Sequence, residues 1–397
     1  MKNKYVIFFL IIFFMCSCVS MKDYYKTKSP VLISKENLSQ IKSENDKNLQ
    51  FNDIIFKILL TKSKNKLLIK SNENINVNLT NITPAKEIHI LLKDNNININ
   101  GVSISEKEIE LTSNDLLELN NRKYRGGMYI LLKDNEILVI NKVKLDYYLY
   151  GVLPSEVIPS WHEECLKAQA VAARTFAIFN KMNSKSSFYD LDSNNLSQVY
   201  KGYNLETKKT NEAIDKTKDE IMTYNGEVIQ SFFHANSGGK TASSEEVWGG
   251  KIDYLKSKDD EFCKKEKNYK WEISLTSEKI SEKLQKNNIL IGEIYDIKIM
   301  ERSESGRIKT LKIYGSSGSI IIKGKDFRIY LGDNNIKSTN FSITRQNGNF
   351  IFNGFGWGHG VGLSQEGAKG MAENGWDYKK ILKYFYTDID IVKAKIK

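Results

Sequence analysis

The chain has 397 residues, 41% of them hydrophobic and 11% aromatic, with a formal net charge of +11. That length holds two or three domains and a sizeable interior, and the composition excludes a disordered chain. The basic balance suits anionic wall polymers, lipid headgroups or acidic glycans as surroundings, although most Lys residues alternate with acids as on a solvated surface.

The first residues are set apart from the rest. Lys2 and Lys4 form a positive n-region, and Val6 to Met15 an apolar stretch too short to span a bilayer. Met15-Cys16-Ser17-Cys18 resembles a bacterial lipobox, so residues 1–17 read as a signal peptide and Cys18 as the lipidated N-terminus. Met and Cys are unusual at their lipobox positions, which leaves plain secretion as the alternative; either route is export. An exported chain excludes nucleic acid as a partner. Residues 18–50 are polar, Lys- and Ser-rich, and read as a tether between membrane and domain.

From Asn52 to Val143 short β-like runs alternate with Asn, Asp and Gly turns, and residues 51–123 read as an N-terminal β-rich region. The hexapeptide ILLKDN occurs at Ile90–Asn95 and again at Ile130–Asn135, each time before another apolar run. Both read as hairpins. A duplicated unit and convergent hairpin composition both explain the repeat.

The segment Gly151–Ile178, GVLPSEVIPSWHEECLKAQAVAARTFAI, places Glu156 between two prolines, Pro154 and Pro159. The rings stiffen the chain there, and the pattern predicts a turn after a strand-like run. Ser160 and Glu163 read as a capping box opening a helix. Leu166, Ala170, Ala173 and Ala177 give that helix a core-facing stripe. Glu156 beside Val157, Ile158 and Trp161 sits in an apolar setting, which raises a carboxyl pKa and suits general-acid work. A surface carboxylate in a loop is the competing reading.

Further on, Asn211–Lys218 reads as a helix, and Glu220–Thr223 and Val228–His234 as strands around a Tyr-Asn-Gly turn. An apolar strand thus delivers His234 to a Ser-Gly-Gly turn at Ser237, whose hydroxyl and N–H groups suit a polar ligand. Trp248 beside two glycines suits sugar stacking. Both a ligand role and a satisfied core position remain open for His234. Residues from about 265 to 346 alternate strands with a helix near Ser277–Lys286 and read as an inserted or accessory lobe.

In the closing segment, Gly354, Gly356, Gly358, Gly360 and Gly362 fall at every second residue. An extended strand would put them on one face and Trp357 and His359 on the other. Ser364 reads as the N-cap of a helix ending near Asn374-Gly375, and a last helix runs from about Asp377 to Tyr386. The glycine spacing fits neither a dinucleotide fingerprint nor a P-loop. No G-x-S-x-G elbow surrounds Ser160 or Ser237, and the four His show no metal-ligand spacing, so neither metal nor cofactor is expected. Cys165 and Cys263 are permitted, not required, to pair.

Several of these segments agree in order with one family. YLYGVLPSEVIPSWHEECLKAQAVAARTFAI, QVYKGY at Gln198–Tyr203, FFHANSGGKTASSEEVWGG and GWGHGVGLSQEGAKGMAENG resemble the stage II sporulation protein D family (SpoIID/LytB), with lesser matches at YRGGMYI and KSTNF. The resemblance covers about Tyr124 to Tyr386, so residues 124–390 read as its domain. It implies an α+β fold: a mixed β-rich core with a few helices around a substrate cleft. It further implies a lytic transglycosylase cutting the MurNAc–GlcNAc bond of peptidoglycan strands stripped of stem peptides, and hence an amidase partner. The family's catalytic Glu falls on Glu156 and its Arg on Arg174. A zinc site held by some relatives near the position of His234 lacks its cysteines here. His234, Ser237, Trp248, Trp357, His359 and Gln365 are candidates to orient or stack sugars. The LytB branch implies an alternative, a non-catalytic wall-binding protein that activates an amidase.

Overall fold

The computed structural model describes residues 54–184, 186–193 and 198–393; the leader, Cys18 and the tether lie outside them. Strands Ile55–Ser63 and Glu136–Lys144 pair antiparallel in the largest sheet, and the second is buried on both faces from Ile137 to Asn141. In spatial order that sheet runs through Leu191–Asp192, Ile55–Ser63, Glu136–Lys144, Gly127–Lys133, Glu108–Thr112, Leu67–Val77, Ala85–Lys93, Asn96–Ile99 and Val102–Ile104. Both ILLKDN copies are hairpins. Asp94-Asn95 and Asp134-Asn135 turn with φ of 52°, 59°, 49° and 58°, the two-residue geometry whose twist matches the flanking strands.

The strands before and after residue 123 share one sheet and one hydrophobic core, which continues into helices α1 (Leu145–Glu156) and α2 (Glu163–Met182). Among the described residues the other α-helices are α3 (Lys208–Lys216), α4 (Ser244–Trp248), α5 (Ser277–Gln285), α6 (Gly324–Leu331), α7 (Gln365–Glu373) and α8 (Tyr378–Phe385). The stripe expected on α2, Leu166, Ala170, Ala173 and Ala177, does join the core of α1 and the sheet. Its other flank was not foreseen. Cys165, Ala168, Ala172 and Phe176 enter a second core with Phe232, Phe233, Val361, Leu363, α7 and α8. Alanines on both flanks let two cores close on one helix, and each Leu- or Phe-sized side chain buried there contributes about 1.5–3 kcal/mol.

The lobe has a core of its own. Lys270–Thr276, Asn349–Phe355 and Phe341–Gln346 make one antiparallel sheet, and Ile294–Arg302, Ile308–Gly315 and Gly318–Lys323 another. With α5 and α6 they enclose a cluster from Trp271 to Phe352. Strands and helices together make an α+β fold. Among the described residues no helix is long and apolar enough to cross a membrane.

Three local expectations are revised. Glu156 ends a helix rather than sitting in a turn, because Pro154 falls in the last turn of α1 and Val157 N still donates to Leu153 O. The helix α2 opens at Glu163 with His162, not Ser160, as its cap: the His162 Nδ1 accepts from Glu164 N at 3.3 Å. The glycine-rich strand stops at Phe355, and Gly356, Gly358, Gly360 and Gly362 then take φ of 77°, 114°, 86° and 72°. Left-handed residues at every second position fold the segment into successive tight bends, which only glycine adopts cheaply. The cap at Ser364 is as expected, and the last helix starts where expected, with Asp377 as its cap.

Candidate functional site

Glu156 is 6% exposed, and its Oε1 accepts from Val199 N at 3.0 Å. The segment supplying that N–H is locked against α1. Buried Gln198 accepts from the Tyr148 hydroxyl at 3.1 Å and donates to Ala173 O at 3.2 Å. The Tyr200 hydroxyl donates to Asn141 at 2.8 Å, and its ring lies where a Cβ on Gly151 would come within 2.6 Å. Asn141 in turn donates to the carbonyls of Arg125 and Gly127. Burial, then the nearby Glu156 charge, keeps the Tyr148 hydroxyl protonated. Arg125 and Gly127, Asn141, and the 198–200 segment, far apart in the chain, are thus tied into the frame that presents Val199 N to this carboxylate.

Arg174 makes its bonds elsewhere. It is fully buried, and its Nη atoms donate to Ile214 O at 3.0 Å, Glu220 O at 3.2 Å and the Thr217 hydroxyl at 3.4 Å. The guanidinium thus closes the C-terminal end of α3, where a cation complements the helix dipole. Arg174→Lys keeps the charge but not the fork, leaving buried carbonyls unpaired at about 1–3 kcal/mol. The urea midpoint should fall accordingly. A loss of activity at unchanged midpoint would instead place Arg174 in the chemistry.

A second group forms where Phe233–His234 pairs with Leu363–Ser364. The rings of His234 and His359 lie 5.5 Å apart. His234 Nδ1 lies 3.2 Å from Val361 O, so that nitrogen carries the proton, and His359 Nδ1 accepts from Val361 N at 3.0 Å. Removal from water pulls both pKa values down, that of His359 to about 3, and both rings are neutral. Below the ordinary value of 6.5 the unfolded chain takes protons that the folded rings refuse. Stability therefore falls as pH drops from 6.5 towards 3, readable as a declining urea midpoint. His359→Asn, which keeps an acceptor for Val361 N, should flatten the decline; identical slopes would place the titration elsewhere.

The Ser237 hydroxyl is buried, donates to Asp260 Oδ2 at 2.7 Å and lies 3.2 Å from Cys263 Sγ. Gln365 is 2% exposed, with Nε2 3.5 Å from Gln169 Oε1. Trp357 pairs with Asn236 and carries the Lys337 ammonium 4.7 Å above its ring. Cys165 and Cys263 are free, buried thiols. Among the described residues no three His, Cys, Asp or Glu side chains gather as a metal needs.

Trp248 and His359 do reach a common cavity of about 400 Å³ between α4 and the lobe, shared with Arg307, Lys323 and Lys325. Glu156 is not among the residues that line this cavity, so the expected site residues fall into separate groups. The residues that lock the Val199 segment in place (Tyr148 and Asn141) and the cavity cations were not legible. Only the close approach of Gly360, whose Cβ would lie 2.2 Å from Arg307 Nη2, leaves a trace of the latter in the sequence.

Residues 133–224 match the family model described as stage II sporulation protein, and residues 251–362 match one described as a domain of unknown function (DUF8618). The chain is 33% identical over 271 residues to stage II sporulation protein D of Bacillus subtilis, covering 64% of this chain and 76% of that protein. An uncharacterised protein of Brachyspira hyodysenteriae is 34% identical over 297 residues, 75% of this chain and 79% of the relative. The amidase enhancer of Bacillus subtilis is 30% identical over 286 residues, which is 60% of this chain but 39% of that protein.

Proposed function

Because the chain belongs to the stage II sporulation protein D family, we propose that it is a cell-envelope lytic transglycosylase cutting the MurNAc–GlcNAc bond of peptide-stripped peptidoglycan. The observation that carries this reading is Glu156, a carboxylate fixed at a helix end by Val199 N and by a segment locked against that helix. Hydrolytic glycosidases divide acid and base, or acid and nucleophile, between two carboxylates. A transglycosylase runs on one. Glu156 as acid protonates the glycosidic oxygen and the C–O bond breaks. As carboxylate it then takes the proton of the MurNAc C6 hydroxyl, whose oxygen closes on C1 to give a 1,6-anhydro end.

Arg174 acts in this scheme as a positioning residue, holding α3 beside α2. Trp248 stacks a sugar ring with His359 at the same wall, and Trp357, His234, Ser237 and Gln365 shape the backbone around them. An amidase supplies the stripped strands, and a lipid on Cys18 keeps the enzyme at the membrane after export. The likeness to an amidase enhancer supports a second reading, in which the chain binds wall glycan and stimulates an amidase. Digestion of peptide-stripped and peptide-bearing strands, with product ends read by mass, separates them. Anhydro ends support the lyase; reducing ends indicate a hydrolase; amidase stimulation without cleavage indicates the enhancer.

A further inference from the structure

Glu156 does not line the cavity between α4 and the lobe. Five cationic side chains line it, Arg307, Lys309, Lys323, Lys325 and Arg328, against three carboxylates, Glu245, Glu246 and Glu301. Two of the carboxylates are engaged: Glu301 pairs with Lys309 at 2.8 Å, and Glu246 accepts from the Ser305 N–H and hydroxyl. Arg307 is buried and donates to two neutral acceptors, Ser237 O and Lys240 O, with Glu246 as its nearby countercharge. Its Nε has no acceptor among the described residues. Lys323 enters no ion pair among the described residues, and Lys325 is half-buried, so that desolvation pulls its pKa down. Trp248 forms part of the wall, its ring held 4.4 Å from that of Phe232 and 5.6 Å from that of His359. A fixed indole beside surplus positive charge matches a ring that carries an acid group.

We propose that this cavity binds an anionic saccharide unit of the wall, its ring against Trp248 and its acid group towards Lys323 and Lys325. The lobe then holds the polymer while Glu156 acts on it, a role that rests on wall glycan being the substrate. Two sources present this chemistry: the lactyl carboxylate freed when a stem peptide is removed, and the phosphodiester of an anionic wall polymer.

The test measures affinity in the full chain carrying Glu156→Gln, so that cleavage does not enter. The probes are peptide-stripped glycan, a phosphodiester wall polymer and uncharged GlcNAc oligomers. Lys323→Glu with Lys325→Glu should weaken one or both anionic probes about tenfold or more at low salt, since hydrogen bonds to charged groups are lost. Affinity for the uncharged oligomers should hold. The probe that responds identifies the acid group. Lys323→Glu alone, at an exposed position, gives the same reading with a smaller shift if the double variant unfolds. Unchanged affinity for both anions overturns the proposal, as does equal affinity of the parent for charged and uncharged probes. Cation-dependent binding without cleavage by the wild type sinks only the transglycosylase reading; cleavage without cation dependence sinks only this one.

Discussion

Glu156→Gln is expected to cut the formation of anhydro ends by about 10²–10⁴-fold, the range that positioned acid–base catalysis contributes. The substitution isolates one property. A glutamine has the same volume, and its carbonyl oxygen still accepts from Val199 N. It cannot donate the proton that the leaving oxygen needs, nor take one from the C6 hydroxyl. The urea midpoint and the affinity for glycan should therefore stay close to wild type while turnover collapses. Glu156→Asp keeps the acid but withdraws it by a methylene, and a misplacement near 1 Å costs about 10²-fold. Anhydro ends appearing at the wild-type rate in Glu156→Gln would remove this residue from the chemistry. Retained amidase stimulation in the same variant would favour the enhancer reading.

The largest effect on stability is expected at Gly362. Its φ of 72° costs another residue about 1–3 kcal/mol, and an added Cβ would lie 2.1 Å from Phe232 O. That carbonyl cannot retreat. It accepts from Leu363 N at 3.0 Å and from the buried Tyr386 hydroxyl at 2.6 Å. Gly362→Ala should thus lose about 4 kcal/mol, the range reserved for a named steric failure. Gly375→Ala is the control: its φ is 84°, but nothing lies within 4 Å of the added atom, so only the backbone cost of about 1 kcal/mol remains. Equal shifts in the two urea midpoints would mean that crowding at Phe232 is not what requires glycine.

Elements whose determinants are local were legible from sequence. The Asp-Asn turns fix their hairpins, Ser364 caps its helix, and the Leu166-to-Ala177 spacing marks a buried stripe. The misreadings came where tertiary packing overrides local preference. Gly151 and Pro154 argue against a helix, yet α1 is helical because Gly151 makes room for Tyr200 and Pro154 falls in the last turn. Alternating glycines suit a pleated face as well as a row of left-handed bends, and only the neighbours of Gly356 to Gly362 choose between them. Glu156 was legible as a candidate acid through its motif; its fixing by Val199 N was not, because 43 residues separate them. The cations of the cavity lie on strands and a helix of the lobe, whose spacing carries no motif.

The double burial of α2 bears on how the protein accommodates a polymer. A helix that fills two cores at once has no free side on which to roll, since turning it by one residue would empty a slot in both. Glu156 and the glycine bends are thereby held in a constant frame, and adjustment to a strand must come from the seam between α4 and the lobe. That seam is joined by directional polar bonds such as those from Arg307 and Ser305 rather than by a shared apolar core. On the proposed function the molecule is an anvil with an adjustable jaw: one side would set where the bond is cut, the other how the strand is gripped.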